Sequence, residues 1–146
     1  MNAGTVLLID DSPEDIELAC AVLSRYWPAD KIISIHDGAE AGDYLFCRGR
    51  FAGRDTGDPA LILLDIKMPK VNGLDVLHSV KSDDRLRVIP VVMMTSSLEH
   101  RDVQSSYRGG CNGYVVKPLA IDAFHDAIRN LGAFWLETNV LPSTRA

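Results

Sequence analysis

Asp10 and Asp11, Asp65, Thr95 and Lys117 each follow or end a short apolar run: Val6 to Ile9, Leu61 to Leu64, Val91 to Met94 and Tyr114 to Val116. If those runs are parallel strands of one sheet, their ends converge. Three carboxylates, a hydroxyl and an ammonium then share one shallow pocket although they are spread across most of the chain. Two like unit charges about 4 Å apart repel by about 4 kcal/mol at an effective dielectric of about 20, so clustered aspartates raise one another's pKa unless a cation sits among them. The cluster therefore predicts a bound metal. All-oxygen ligands with few protein contacts suit magnesium, which keeps several waters and binds through one or two carboxylates plus phosphate oxygen. Calcium fits less well, because no helix-bounded loop of oxygen ligands is present.

Positioning these residues requires strands buried on both faces, and the four apolar runs have that character. Lys31 to Ile35, rich in isoleucine and stopped by Asp37 and Gly38, supplies a fifth, edge or near-edge strand. Helix-sized segments lie between the strands. Ser12, Pro13, Glu14 and Asp15 offer a cap hydroxyl, a proline at the first helical position and early negative charge, and Ile16, Ala19, Cys20 and Leu23 continue at helical spacing. Asp37 caps a helix expected to run to about Cys47. Leu74, Leu77 and Val80 mark a third helix, and Ile121, Phe124, Ile128 and Leu131 the last. The segment from Leu98 to Tyr107 carries little apolar stripe, and its helix is expected from the alternation around it. Strand and helix alternate five times, which implies an α/β doubly wound parallel sheet with ligands bound beyond the carboxyl ends of its strands. The stretch from Arg48 to Pro59 reads as an exposed, mobile loop.

The 146 residues suit one domain, with 47% hydrophobic and 24% charged side chains. A formal net charge of −5, from 20 acidic and 15 basic residues, disfavours direct nucleic-acid binding. Cys20, Cys47 and Cys111 have no CxxC spacing and read as reduced, mostly buried thiols. No apolar run approaches a membrane span and no leader is visible, so a cytoplasmic protein is expected.

The segments "LLIDDSPED", "LILLDIKMPKVNG", "VVMMTSS" and "GYVVKPL", in this order and spacing, resemble the signature segments of bacterial response-regulator receivers, over roughly residues 4–131. The resemblance implies a flavodoxin-like fold of five βα units with strand order 2-1-3-4-5. It also implies that Asp65 is the phosphoacceptor for a sensor histidine kinase, and that magnesium is held by Asp11, Asp65 and the main-chain carbonyl of Lys67, with Asp10 acting mainly through water. Lys117 would pair with a phosphoryl oxygen, Thr95 and Tyr114 would form the switch, and a cis bond before Pro118 would aim the lysine. Physically the roles are coherent, since phosphoryl transfer to a carboxylate is catalysed mainly by alignment and positive charge, and such a domain assists its own phosphorylation and dephosphorylation without being an enzyme otherwise. "FWLETNVLP" resembles the tail of single-domain regulators that work with phytochrome-type histidine kinases. That likeness implies a bacteriophytochrome as partner kinase and a homodimer using Phe134, Trp135 and Leu136 within a C-terminal extension, residues 132–146; the competing reading is that this apolar tail folds back on its own domain. No output domain is expected to follow.

Plainer roles compete. A single aspartate at a strand end is commonly a cap or turn residue, and Asp10 is the most open to that reading. Pro69 and Gly73 shape the turn after Asp65. His36, His78, His100 and His125 have no metal-ligand spacing and belong on helix and loop surfaces. Ser96, Ser97 and Lys67 sit where they could influence the lifetime of a phosphoryl group. An aspartate-nucleophile phosphatase would need an acid two residues after the nucleophile, where Lys67 stands. A flavin carrier would need a phosphate cradle where the first turn is acidic.

Overall fold

The structure is a computed structural model that describes residues 4–54 and 57–142. Strands β1 (Val6–Ile9), β2 (Ile32–Ile35), β3 (Leu61–Leu64), β4 (Val91–Thr95) and β5 (Gly113–Val116) form one parallel sheet in the order β2-β1-β3-β4-β5. The expected edge strand is β2, shortened at its start because Ala29–Lys31 forms a 3-10 turn. The connections are α1 (Pro13–Leu23), α2 (Gly38–Leu45), α3 (Gly73–Lys81) and α4 (His100–Arg108), and α5 (Ile121–Gly132) follows the last strand.

Side chains alternate across a strand, so each continuous apolar run feeds two cores. Leu7, Ile9, Ile62, Leu64, Val91 and Met93 pack on one face with Tyr44 and Leu45 of α2 and Val76, Leu77 and Val80 of α3. Val6, Leu8, Leu61, Leu63, Val92 and Met94 pack on the other with Ile16, Ala19 and Leu23 of α1 and Phe124, Ile128 and Leu131 of α5.

Helix starts follow local chemistry. The Ser12 hydroxyl accepts from the Asp15 amide and Asp37 accepts from the Glu40 amide at 2.7 Å, while Asn72 and Asp75 form a reciprocal capping box. Helix α2 stops at Leu45 and not near Cys47, because Cys47 adopts a left-handed conformation (φ 55°) that ends the helix. Helix α4 forms without an apolar stripe: its buried members are Asp102 and Ser106, and the Ser106 hydroxyl donates back to the Asp102 carbonyl at 2.7 Å.

The expectation of a loosely held loop after α2 is only partly met. Phe51 stacks edge-on against Tyr44, and Arg54 donates to the Tyr44 carbonyl, which ties the described part of that segment to α2. Residues 55–56 lie outside the described residues. Of the free cysteines only Cys111 is buried, and Cys47 is exposed.

The chain continues past α5 into a π-helical turn, Ala133–Thr138. Leu136 is buried and Trp135 partly buried in the chain's own second core, whereas Phe134 is half exposed. Of the three residues expected at a partner surface, Leu136 is thus taken up by the chain's own core, and Trp135 only in part. Apolar area at 135–136 is worth more against the adjacent core than in water, so the chain covers it itself.

Candidate functional site at the carboxyl edge of the sheet

Register decides what meets. Ile9 pairs with Leu64, so Asp10 and Asp65, one residue further on, stand side by side. Thr95 pairs with Val116, and the Lys117 amide donates to the Thr95 carbonyl at 2.7 Å. Counting by twos along the strands puts Asp10, Asp65 and Lys117 on the α1–α5 side of the sheet, and Thr95 and Tyr114 on the α2–α3 side. The acid–base cluster and the hydroxyl–aromatic pair are therefore next to each other on opposite faces.

Lys117 Nζ donates to Asp10 Oδ2 at 2.6 Å, Asp15 Oδ2 at 2.8 Å and Asp65 Oδ2 at 3.2 Å, with its side chain only 8% exposed. Burial alone would depress its pKa, but the hydrogen bonds to Asp10 and Asp15 and the charge of Asp65 outweigh it and hold the ammonium protonated far above the ordinary lysine range. Asp10 is pushed the other way. Burial raises its pKa, and the bond from Lys117 and the Ser12 amide, which donates to Oδ1 at 2.9 Å, offset that only in part. Asp10 therefore caps the turn as its plainer role required and also faces the cluster.

One carboxylate oxygen from each of Asp10, Asp11 and Asp65 lies within 4.8 Å of the others, with Asp11 exposed. Asp65 Oδ1 is buried and meets no hydrogen-bond donor among the described residues. An orphaned anionic oxygen in such a nest is costly, and a hard divalent cation satisfies it; the donor set fits a metal. An open cleft of about 410 Å³ reaches Asp11 and is lined also by Ile66, Lys67, Met68, Pro69 and Asp102.

On the other face Thr95 is fully buried, and its Oγ1 accepts from the Ser97 amide at 3.3 Å. Tyr114 packs against the first core and donates its hydroxyl to the Ser97 carbonyl at 2.8 Å. Burial raises the tyrosine pKa, which keeps it a donor.

Pro118 does not follow a cis bond: among the described residues no peptide is cis. The X–Pro amide itself prefers trans, and Lys117 reaches its three acids from that geometry, so the fold does not need the rarer isomer. The Lys67 ammonium pairs with Asp102, at 3.4 Å, and among the described residues makes no ion pair with Asp10, Asp11 or Asp65.

Two residues were missed from sequence. Asp15 is legible only as a first-turn acid of α1, and its position one turn past the cap on the α1–α5 side is the signal that could have placed it near Lys117. Asp102 was hidden in a helix without a stripe, where an acid in the first turn looks like a partner for the helix dipole.

A family model described as "Response regulator receiver domain" matches residues 6–129. The response regulator Rcp1 of Synechocystis sp. is 34% identical over 138 residues, 94% of this chain and 92% of Rcp1. The crystal structure of its Mn(2+)-bound form superposes with a TM-score of 0.89, covering 97% of this chain and 100% of that one. The phosphorylated cyanobacterial phytochrome response regulator RcpA gives a TM-score of 0.90 at 33% identity, over 97% of this chain and 100% of RcpA. The bacteriophytochrome response regulator RtBRR is 47% identical with a TM-score of 0.74, over 99% of this chain and 85% of RtBRR.

Proposed function

Because the chain belongs to the response regulator receiver family, single-chain phosphoacceptors of signal transduction related to phytochrome-associated regulators, we propose that Asp65 is its phosphoacceptor and a phytochrome-type sensor histidine kinase its donor. The observation that carries this reading is the Asp65 carboxylate: one oxygen 3.2 Å from the Lys117 ammonium, the other buried without a donor beside Asp10 and Asp11. In the transfer the P–N bond of a phosphohistidine breaks as a P–O bond forms to an Asp65 oxygen, and the imidazole leaves with a proton from solvent. Asp10, Asp11, Asp65 and the Lys67 carbonyl would hold magnesium, which when bound supplies positive charge against the carboxylates and the phosphoryl oxygens. Lys117 keeps two of its protons on Asp10 and Asp15 and turns the third from Asp65 Oδ2 to a phosphoryl oxygen. Thr95 exchanges its bond with the Ser97 amide for one to the phosphoryl group, and the segment after β4, held by Tyr114, carries the change to the surface. In this way the domain assists its own phosphorylation and dephosphorylation.

The receiver unit spans residues 4–131. Residues 132–146, of which 143–146 lie outside the described residues, form an extension by which a second copy is held in a homodimer. Half-exposed Phe134 and exposed Val140 supply uncovered apolar surface there. No helix among the described residues is long and apolar enough to cross a membrane, and the chain acts in the cytoplasm by protein contact, without binding nucleic acid directly.

The test is incubation with a small phosphodonor and magnesium, followed by intact mass and size analysis. A single phosphoryl adduct on wild type and none on Asp65→Asn is expected, with a change in assembly that Phe134→Ser weakens. Equal labelling of Asp65→Asn would overturn the acceptor assignment.

A further inference from the structure

We propose that Asp102 is a positioning residue for the chemistry at Asp65: it holds the Lys67 ammonium away from the acceptor, and by doing so shortens the life of the phosphoryl group. The inference rests on Asp65 being the acceptor. Asp102 is a third-position acid of α4, 6% exposed and set just under the surface, and none of the receiver motifs contains it.

Its carboxylate joins two loops that leave neighbouring strands. The Ser97 hydroxyl, two residues past Thr95, donates to Oδ2 at 2.5 Å, and Lys67 Nζ, two residues past Asp65, lies 3.4 Å from the same oxygen. Ser97 is fixed on every side, since its amide donates to Thr95, its carbonyl accepts from Tyr114 and its hydroxyl also accepts from the Glu99 amide. Asp102 is therefore anchored, whereas Lys67 is a long side chain, more than half exposed, with that one ion pair to hold it among the described residues.

The lysine and Asp102 are both in the wall of the cleft that opens on Asp11. Once Asp65 carries a phosphoryl group, the nest of Asp10, Asp11 and Asp15 remains net negative even with a divalent cation and Lys117 counted. Lys67 then has two anionic destinations. Paired with Asp102 it leaves the cleft open, and water can reach phosphorus opposite the Asp65 oxygen. Released from Asp102 it is drawn to the phosphoryl oxygens and covers that approach. Hydrolysis breaks the P–O bond to Asp65 with water as nucleophile and yields the carboxylate and inorganic phosphate, so an ammonium lying across the water's path slows it.

The test measures phosphoryl half-life after labelling with a small phosphodonor and magnesium, by intact mass, in wild type, Asp102→Asn and Asp102→Ser. Asn keeps an acceptor for Ser97, and Ser is small and compatible with a first helical turn, so at least one neutral variant is expected to melt cooperatively as a folded domain, its melting temperature lowered only by loss of the carboxylate's own contribution. A half-life at least threefold longer is expected in either neutral variant, disappearing in the Lys67→Met background and shrinking in high salt as the attraction is screened. An unchanged or shorter half-life, or lengthening of the same size with Met at 67, would overturn the proposal. Failure of wild type to label at all would instead strike the acceptor assignment.

Discussion

Lys117 Nζ is nearer to Asp15 Oδ2, at 2.8 Å, than to Asp65 Oδ2, at 3.2 Å. A helix residue outside the strand-end cluster thus helps to set where the ammonium rests. Asp15 is partly exposed, and the bond adds a charge-assisted contact to an already buried pair. Asp15→Asn keeps the shape and removes the charge, and is expected to lower stability by about 1 kcal/mol in denaturant unfolding with chelator present. No loss would mean that Asp10 and Asp65 alone hold the lysine.

Lys117→Met takes the ammonium from all three acids. Leaving buried carboxylates without their counter-charge typically costs about 3–5 kcal/mol, and the loss is expected in chelator-treated protein. Magnesium should then stabilise the variant more than wild type, because the ion binds the folded nest and replaces the missing charge. Melting curves across a magnesium titration check this; parallel curves for the two proteins would show that the lysine and the ion do not share a site.

Most of the architecture was legible because double-sided burial writes itself as unbroken apolar runs, and period-two alternation then assigns each side chain to a face. Val6 to Ile9 and Leu61 to Leu64 show this directly. Asp10, Asp65, Thr95 and Lys117 were legible as strand ends for the same reason. Asp102 was not, because α4 buries a polar side made of Asp102 and Ser106 where periodicity looks for apolar residues. The apolar tail left two readings open, since Trp135 and Leu136 suit a partner or the chain's own core alike, and the turn after α5 packs Leu136 fully and Trp135 partly on that core.

Gly73 sets the distance between α3 and the acceptor. A Cβ placed there would stand 2.0 Å from the Asp65 carbonyl oxygen, a backbone atom that cannot turn aside. The Gly73 amide also donates to the Ile66 carbonyl at 2.9 Å, fixing the turn. Gly73→Ala is expected to cost more than about 3 kcal/mol, at the upper end of overpacking effects, and to weaken divalent-cation binding by displacing Asp65. Denaturant unfolding and a manganese titration measure the two effects, and a stable variant with unaltered manganese affinity would contradict the close approach.

Two buried acids should give the metal-free protein opposing pH dependences. The Asp102 pKa is held below its ordinary 3.8, first by the Ser97 hydroxyl and then by the charge of Lys67. A depressed carboxyl stabilises the fold above its unfolded pKa, and the contribution is lost as pH falls through the folded value. The Asp10 pKa is raised above 3.8, first by burial. Its contribution is complete below the unfolded pKa and is lost as pH rises through the folded value, because ionised Asp10 is costly where it sits. Asp102→Asn should therefore flatten the decline in stability below about pH 4 and leave the profile above that unaltered. Asp10→Asn should do the reverse, gaining on wild type as pH rises from the acid side toward neutrality while losing divalent-cation binding. Denaturant unfolding of both variants in chelator between pH 3 and pH 7 separates them. If Asp10→Asn lost stability relative to wild type as the pH rose, the Lys117 contact, and not burial, would dominate at Asp10, and the drive to take up a cation there would be correspondingly weak.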